Sequence, residues 1–566
     1  MAYDLKPLNA PRATGLVLDL AAKLLENPLL APHIARAQLD GMGLSRLRSL
    51  PVSEPLASIH PIFEERHPAA AEPISLALPE RAPETPGFRF ETAADFVDAY
   101  QSGTCTPLEV AERLLEASQA LDRGDRPMRL FISQRPEDVL AQAREATERY
   151  RRGTSLGPLD GVPVAVKDEV DQLAYPTTAG TRFLGKVPAT HDAEAVARLR
   201  AAGALLIGKT SMHELGLGVS GINPHHGTPR NPYDPSRITG GSSSGSAATV
   251  AAGLAPLALG ADGGGSIRIP AALCGVVGLK PTFGRVSEHG AAPICWSVAH
   301  LGPIGATVRD VALGYLVMAG PDAKDPQTRF QPPVDLARVS DRDLRGLRFG
   351  LYSPWFEDAE PAVVAACQAM VAVLRENGAE IVEVEIPELG LMRLIHSLTI
   401  VSEMLAAHQG HYEGHRQDFG HEARVNFALL RQARSDDYLL AQRHRWRLHR
   451  QVMAVMQSVD GLLTPATVCT ARPIGADALR LGESNLPLLD RLMRFMVLAN
   501  LTGQPAIAFP VGYDPDGLPI GMQVIGRAWE ESLLLRVAQL AERHVERRAP
   551  HVHQRLLVPQ AARALL

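Results

Sequence analysis

Two glycine-rich loops, separated by a short segment of small residues, constrain this chain more than any other feature. The first contains Gly240-Gly241-Ser242-Ser243-Ser244-Gly245 and the second contains Asp262-Gly263-Gly264-Gly265-Ser266. Three consecutive glycines let the backbone turn successive N–H groups toward one point, as the binding of an oxyanion requires. Ser266 then brings a hydroxyl nucleophile to the same point. The loops predict a site at which a carbonyl carbon is attacked.

A lone lysine follows an apolar strand pattern upstream of both loops. Val162-Pro163-Val164-Ala165-Val166 precedes Lys167, which stands 75 residues before Ser242, and Ser266 follows Ser242 by 24 residues. A serine hydroxyl is inert at neutral pH unless a base takes its proton. An exposed lysine is protonated, but burial at the end of an apolar strand penalises the ammonium form. The residues therefore predict a serine hydrolase whose base is lysine and not histidine.

Two carboxylates directly follow this lysine and could pair with it. Pairing with Asp168 or Glu169 would favour the ammonium form and oppose the role of Lys167 as a base. Because side chains alternate along a strand, Asp168 is expected to point away from Lys167. On that argument, we expect neither carboxylate to pair with Lys167.

The loop pair, with a lysine at this spacing, resembles the signature of the amidase signature family. The similarity runs from Asn9-Ala10-Pro11 through Met212-His213-Glu214-Leu215-Gly216 to Gly517-Leu518-Pro519-Ile520-Gly521, nearly the whole chain. It is closest to the plant-type fatty acid amide hydrolase branch. The resemblance implies hydrolysis of fatty acid amides or N-acylethanolamines through an acyl-serine intermediate, without a metal or organic cofactor.

The resemblance also assigns roles to individual residues. It implies a Ser-Ser-Lys triad in which Ser242, on a cis peptide bond, passes the proton of Ser266 to Lys167. The oxyanion hole is expected from the backbone N–H groups of Gly263, Gly264, Gly265 and Ser266. Ser243 is expected to support the first loop, and an ion pair between Asp262 and Arg268 is expected to hold the second. Substrate contact is expected at Gly216 and Leu217, and further walls of an acyl tunnel at Met493, Phe495 and Met496. For Leu217 and these last three residues, a place in the apolar core is an equally good interpretation.

Strand and helix patterns alternate from Thr92 onward and favour an α/β fold. With the resemblance, we expect the amidase-signature fold: a mixed, mostly parallel twisted central sheet covered by helices on both faces. Residues 1–90 form an N-terminal helical extension with a proline-rich strap, and 91–566 form the catalytic domain, with a helical insertion at about 395–456. Predicted strands are 161–166, 204–207, 257–260, 346–352, 380–385, 461–465 and 506–510; predicted helices are 107–120, 193–202, 243–253, 361–377 and 532–546.

Residues 14–40 read as two short helices. Leu16, Val17, Leu20, Leu24 and Leu25 fall close to one face of the first. These helices could cover a tunnel mouth, contact a membrane surface or form a dimer contact, with a packed flap as the plain alternative. The partners expected are therefore a small lipid amide substrate, a peripheral membrane contact and a second copy in a homodimer.

Composition excludes several other classes of protein. A hydrophobic fraction of 46%, a charged fraction of 21% and a net charge of −5 are those of an ordinary globular protein and do not indicate nucleic-acid binding. The five cysteines include no Cys-x-x-Cys motif and suggest reduced thiols. The first 25 residues lack a secretory signal pattern. We expect a cytoplasmic protein, with association at a membrane surface left open.

Three other motifs compete with this interpretation. Gly203–Thr210 matches a phosphate-binding loop, but its middle residues favour a strand. Gly216–Gly221 matches a dinucleotide fingerprint but does not follow a predicted strand. Gly241–Gly245 matches the nucleophile elbow of α/β-hydrolases, which needs a preceding strand, whereas Pro232–Ser236 precedes it.

Two further functions stay open at this point. One is an amidase for small amides, or the glutaminase subunit of a tRNA-dependent amidotransferase, which usually lacks a comparable N-terminal extension. The other is a non-catalytic scaffold that binds amides. The presence of Lys167, Ser242 and Ser266 together argues against the scaffold, because packing requires none of them.

Overall fold

The computed structural model describes residues 3–8, 10–51, 58–61, 63, 78–81 and 87–558. Within them the strands are β1 (Ala13–Thr14), β2 (Phe131–Ser133), β3 (Pro163–Lys167), β4 (Leu205–Thr210), β5 (Arg230–Asn231), β6 (Asp234–Ile238), β7 (Leu257–Ala261), β8 (Val277–Lys280), β9 (Leu301–Gly305), β10 (Arg348–Leu351), β11 (Glu380–Glu383), β12 (Gly461–Pro465), β13 (Glu483–Ser484), β14 (Ala506–Tyr513) and β15 (Pro519–Gly526).

The α-helices of the same residues are interspersed among these strands. They are α1 (Gly15–Glu26), α2 (Ala31–Gly41), α3 (Leu44–Ser49), α4 (Ala93–Gln101), α5 (Pro107–Leu121), α6 (Pro136–Arg151), α7 (Glu194–Ala201), α8 (Ser244–Ala251), α9 (Arg268–Leu273), α10 (Val308–Met318), α11 (Ser353–Phe356), α12 (Pro361–Glu376), α13 (Leu389–His415), α14 (His421–Leu430), α15 (Ser435–Met456), α16 (Leu486–Met493), α17 (Val497–Thr502) and α18 (Glu531–His544).

Eleven of the strands form one sheet in the order β11-β10-β12-β15-β14-β8-β9-β7-β3-β4-β2. The sheet is mixed, as expected, but the expectation that it is mostly parallel is wrong. Four of its strand pairings are parallel and six are antiparallel. One of the six has a local reason: the β14–β15 hairpin turns within a few residues at Gly517, and so short a connection can only join antiparallel strands.

Helices cover both faces of this sheet, as predicted. On β14, Ile507 and Phe509 pack in one apolar cluster with residues of α10, α12 and α18. The intervening Ala508 packs instead with residues of α9, including Ile269. Because successive side chains of a strand point to opposite faces, α9 and α18 lie on opposite sides of the sheet. The core around this sheet is thus a helix–sheet–helix sandwich.

Most predicted elements are present, with ends that differ by a few residues. The start of α5 is set by a capping box, in which Thr106 Oγ1 accepts from the Glu109 N–H and the Glu109 carboxylate accepts from the Thr106 N–H. Strand β12 has the bounds that the sequence predicted, 461–465. The division of the chain at residue 90 stays a prediction, and most of the proline-rich strap lies outside the described residues.

The insertion predicted at 395–456 is helical and consists of α13, α14 and α15. The segment Leu389–Asp418 is long and apolar enough to cross a membrane by length and composition, but 61% of its apolar window is buried inside the protein. Helix α13 packs against α15 and α17. Its apolar character is therefore that of a core helix.

The N-terminal helix α1 leaves most of the apolar residues that the sequence pattern grouped on one face exposed. Leu18 and Leu25 are buried, whereas Leu16 is 83%, Val17 66% and Leu20 56% exposed. Helix α1 packs on α14. Hydrogen-bond contacts also join Glu26 to Arg424 (2.7 Å) and Asp19 to His421 (3.1 Å). A helix rich in leucine has apolar residues on more than one face, and periodicity alone cannot select the buried one.

Candidate active site

The lysine and the second glycine loop meet because their strands are parallel neighbours. Strand β3 ends at Lys167, and β7, paired with it, ends at Ala261 directly before the loop. Parallel strands bring their carboxyl ends to the same edge of a sheet. Lys167 Nζ accordingly lies 3.2 Å from the Ala261 carbonyl oxygen.

The Lys167 amine is enclosed by three oxygen atoms. Besides the Ala261 carbonyl, Nζ lies 2.8 Å from Ser242 Oγ and 3.0 Å from Glu169 Oε2. The lysine is 1% exposed. The burial and the contact with Ser242 that a lysine base requires are both present.

The two acidic neighbours of Lys167 differ in what they contact. Asp168 points away, as predicted: its carboxylate accepts from Thr178 and lies 3.6 Å from Lys209 Nζ on β4. The expectation that Glu169 also leaves Lys167 unpaired is wrong. Strand β3 ends at Lys167, and Glu169 lies in the turn that follows, which the Val170 N–H closes by donating to the Lys167 carbonyl (3.1 Å) and which brings the Glu169 carboxylate back to the lysine.

The first glycine loop is joined directly to the second. The Gly241–Ser242 peptide bond is cis, as the resemblance implied. The Ser243 N–H donates to the Ser266 carbonyl oxygen (3.2 Å), and Ser243 Oγ donates to the Ala261 carbonyl (3.1 Å). Ser243 is thus a supporting residue, and Ser242 and Ser266 line the same cavity.

A buried ion pair shapes the second loop, as the sequence predicts. Arg268 Nε and Nη2 each lie 2.9 Å from a different oxygen of Asp262, and neither side chain is exposed. The same carboxylate accepts from the Gly265 N–H (2.6 Å) and the Ile267 N–H (3.1 Å). Burial opposes its charge, but Arg268, with the hydrogen bond from Asn500, holds the pKa of Asp262 well below its ordinary value.

This arrangement changes the expected set of oxyanion donors. The Gly265 N–H is engaged by Asp262 and is not free to bind an oxyanion. In the part of the chain that the structure describes, no hydrogen bond uses the N–H of Gly263, Gly264 or Ser266. Gly265 itself has φ +116°, and a Cβ there would lie 2.7 Å from Ile269 and Met496, so only glycine fits.

Sequence reasoning missed two residues that hold this loop. His396 on α13 contacts the Gly263 carbonyl oxygen through Nε2 at 2.8 Å, and burial lowers the pKa of His396 to about 4. Asn500 on α17 donates to both the Asp262 carbonyl oxygen and the Asp262 carboxylate at 2.9 Å. Neither lies in a recognisable motif, and each approaches from a helix more than 100 residues away in the chain.

The cavity in front of these groups has a volume of about 410 Å³. Gly216 lines it, and a Cβ at that position would lie 3.3 Å from Ser242 Oγ. Leu217 does not line it. The cavity wall is formed largely by the segment between β8 and β9, and it includes Phe283, Val286, Ile294, Cys295, Trp296 and, from α13, Ile400.

The other proposed acyl-wall residues do not line this cavity either. Met493 and Met496 pack behind the glycine loop, where a Cβ at Gly264 would meet Met493 and one at Gly265 would meet Met496. Phe495 is fully buried and packs on Trp355. Their apolar character belongs to the core, and sequence periodicity does not distinguish core residues from cavity walls.

The structure also decides the competing motifs. Gly203–Thr210 contains β4, and its Lys209 is fully buried beside Asp168, so it is not a phosphate loop. Gly216–Gly221 follows a short 3₁₀ turn at Glu214–Gly216. A strand, β6, does precede Gly241–Gly245, contrary to prediction, but it lies with β5 in a separate two-stranded sheet, outside the eleven-stranded one. The central serine of that motif, Ser243, is hydrogen-bonded to the Ala261 backbone.

Known proteins are similar to this chain over most of its length. Residues 112–535 match the family described as Amidase. A fatty acid amide hydrolase of Arabidopsis thaliana is 36% identical over 570 residues, covering 95% of this chain and 94% of the relative. One component of the glutamyl-tRNA(Gln) amidotransferase of Chloroflexus aggregans is 38% identical over 471 residues, covering 79% and 94%. The solved peptide amidase of Stenotrophomonas maltophilia superposes with a TM-score of 0.71 at 31% identity, covering 82% and 99%.

We expect His396→Gln to reduce the acid sensitivity of the fold. Glutamine can still donate to the Gly263 carbonyl but does not titrate. Since the pKa of His396 is lowered from 6.5 to about 4, its contribution to stability is full above pH 6.5 and is lost as the pH falls through about 4. Acidification from pH 7 to pH 4 should therefore lower the free energy of unfolding of the wild type by roughly 3 kcal/mol more than that of the variant.

Urea unfolding at a series of pH values measures this difference. The control is His33→Gln, which removes an exposed histidine of α2; this variant should be as sensitive to acid as the wild type. An acid loss in His396→Gln equal to that of the wild type would contradict the prediction.

Proposed function

The chain belongs to the amidase signature family, and on that premise we propose that it hydrolyses long-chain fatty acid amides, N-acylethanolamines among them, to a free fatty acid and an amine. The reaction passes through an acyl-serine intermediate on Ser266. One observation carries the proposal: the buried Lys167 amine lies 2.8 Å from Ser242 Oγ, in a cavity that Ser266 also lines. Packing alone gives no reason to bury a lysine against a serine.

In the proposed mechanism, Ser266 Oγ attacks the amide carbonyl carbon. The proton of Ser266 passes to Ser242 Oγ while the proton of Ser242 passes to the neutral amine of Lys167. The oxyanion accepts hydrogen bonds from the backbone N–H groups of Gly263, Gly264 and Ser266, a contribution that is typically about 3–4 kcal/mol for one donor. The ammonium then returns a proton through Ser242 to the leaving nitrogen.

Water completes the cycle by the same route. The amine departs and water takes its place beside Ser242. Lys167, neutral again, accepts a proton through Ser242 as water attacks the acyl ester, and Ser266 leaves with that proton returned to it. Each step uses groups of this chain alone, because the backbone donors stabilise the charge and the lysine moves the proton.

We expect Ser266→Ala to abolish turnover and labelling by a fluorophosphonate. Ser242→Ala and Lys167→Ala should retain the nucleophile but lower kcat/KM by about 10²–10⁴-fold, because proton transfer fails. Turnover of an amide and mass spectrometry of the labelled peptide measure both effects. Ser220→Ala, at a serine that does not line the cavity, serves as the control and should behave like the wild type. Continued turnover in Ser266→Ala would overturn the assignment of the nucleophile.

Two observations support a long-chain amide over a small one. The Arabidopsis fatty acid amide hydrolase aligns with 95% of this chain, whereas the amidotransferase component aligns with 79%. The cavity is also walled in part by apolar side chains, including Val286, Ile294 and Ile400. An apolar wall binds an acyl chain by removing both surfaces from water, with a gain of about 0.8 kcal/mol for each buried CH₂.

A substrate panel tests this choice. We expect kcat/KM to rise with acyl length across a series of acylethanolamides, because each added methylene buries apolar surface. The panel should include acetamide-type amides and glutamine as short competitors, with Ile294→Asp as a variant that places a charge in the wall. A rate on glutamine equal to or above that on the long-chain amide would reject the fatty-amide proposal and favour the small-amide alternative.

The exposed side of α1 supports a further part of the proposal, contact with a membrane surface. Leu16, Val17, Leu20 and Leu24 share this side, and Leu29, next to it in the chain, is 80% exposed. The cations Lys23 and Arg36 are exposed on α1 and α2. Apolar residues next to cations are typical of helices that lie on anionic lipid. A homodimer through the same leucines is the second contact that this side could make.

We expect the double variant Leu16→Asp, Leu20→Asp to lose binding to anionic vesicles, because it places charge where apolar side chains would enter the lipid. Co-sedimentation with phosphatidylserine vesicles measures binding, and sedimentation velocity without vesicles measures the oligomeric state. The double variant Leu156→Asp, Leu173→Asp, which adds the same charge at exposed leucines outside α1, is the control. Dissociation of a dimer in the double variant, without a change in vesicle binding, would assign this side to the dimer instead.

A further inference from the structure

We propose that Glu169 is a positioning residue for proton transfer, which orients the Lys167 amine so that its lone pair faces Ser242. The inference rests on the proposed role of Lys167 as the base. Neither the sequence pattern nor the expected triad includes Glu169, and sequence reasoning predicted that it would not touch the lysine.

The geometry around the amine carries this inference. A neutral amine has two N–H bonds and one lone pair. Lys167 Nζ has three oxygen neighbours: the Ala261 carbonyl at 3.2 Å, Glu169 Oε2 at 3.0 Å and Ser242 Oγ at 2.8 Å. The carbonyl and the carboxylate can only accept hydrogen bonds, whereas a serine hydroxyl can also donate. When both N–H bonds are directed to the two obligate acceptors, the lone pair is left facing the Ser242 hydroxyl.

The side chain of Glu169 is held where this contact is made. Glu169 is 8% exposed, and its backbone carbonyl accepts from the Ala292 N–H at 2.7 Å, which ties it to the cavity wall. Its Oε2 atom also lies close to Gly216, where an added Cβ would be 3.6 Å away. Lys167 and Glu169 both line the cavity.

Glu169 also acts on the charge that forms during the reaction. As Ser266 attacks, one proton moves from Ser266 to Ser242 and one from Ser242 to Nζ, so that no charge is gained or lost overall. The ammonium produced can donate to all three oxygens, and the carboxylate stabilises it. A carboxylate beside an amine favours the charged form of that amine.

Other ionisable groups face this pair from the neighbouring elements. Lys209 lies on β4, Glu288 and Cys295 belong to the segment between β8 and β9, and Asp168 precedes Glu169 in the chain. Burial raises the pKa of Glu288 well above its ordinary value and does the same for the Cys295 thiol. Among the described residues, Glu169 is the carboxylate in contact with Lys167.

Two substitutions separate orientation from charge. Glu169→Gln keeps an oxygen that can accept from Nζ but removes the negative charge, so the amine should lose its proton more readily. The acid limb of the kcat/KM profile should move to lower pH by about one unit or more. Glu169→Leu removes both the acceptor and the charge, and at the alkaline plateau its kcat/KM should fall about 10-fold or more below that of Glu169→Gln.

The readouts are the rate of fluorophosphonate labelling of Ser266 and the hydrolysis of a short acyl p-nitroanilide, each measured against pH on the full chain. Neither depends on the fatty-amide specificity, so failure of the substrate proposal would not imitate failure of this one. Thermal unfolding verifies that each variant is folded. Glu288→Gln, at another carboxyl of the cavity whose burial favours the uncharged form, is the control and should shift the acid limb less than Glu169→Gln.

An acid limb in folded Glu169→Gln that coincides with that of the wild type, or moves no further than in Glu288→Gln, would overturn the proposal. Equal plateau rates for Glu169→Gln and Glu169→Leu would overturn it as well, because orientation by an acceptor would then have no effect. The expected shift together with the expected order of plateau rates supports it.

Discussion

The buried pair of Asp262 and Arg268 is the interaction on which the rest of the site depends. Its carboxylate accepts from the guanidinium, from two backbone N–H groups of the loop and from Asn500, so one side chain determines the path of the chain from residue 262 to 268. Removing one partner of such a pair leaves an uncompensated buried charge, at a typical cost of about 3–5 kcal/mol. The loop that presents Ser266 is therefore held by electrostatics and not by a regular helix or strand.

The pair also decides which loop N–H groups remain for an oxyanion. By engaging Gly265 and Ile267, Asp262 leaves Gly263, Gly264 and Ser266 as the available donors. His396 contacts the Gly263 carbonyl oxygen. Donors that are already oriented do not have to reorganise when charge develops, which is why such preorganisation is effective in catalysis. Long-range contacts from α13 and α17 thus complete a loop whose own residues are mostly glycine.

The Lys167 amine is likewise positioned by several contacts that act together. Apolar strand residues bury it, Glu169 favours its charged form, and Ser242 lies where it can exchange a proton with it. Strand alternation predicted correctly that Asp168 turns away. Glu169 lies in the turn that follows β3, so its return to the lysine is decided by that turn and not by strand alternation. The contacts from His396 and Asn500 were also beyond the reach of the sequence, because no local pattern connects positions more than 100 residues apart.

The sequence alone determined the family, the α/β class, most helices and strands, and the candidate nucleophile, relay and base, because these depend on local spacing and on residue chemistry. Tertiary structure decided which face of α1 is buried, that antiparallel pairings outnumber parallel ones, and that Met493, Phe495 and Met496 belong to the core and not to the cavity. It also decided which N–H groups of the glycine loop are free. These features depend on what packs against a residue from elsewhere in the chain, and periodicity states only that a residue is apolar, not which neighbour covers it.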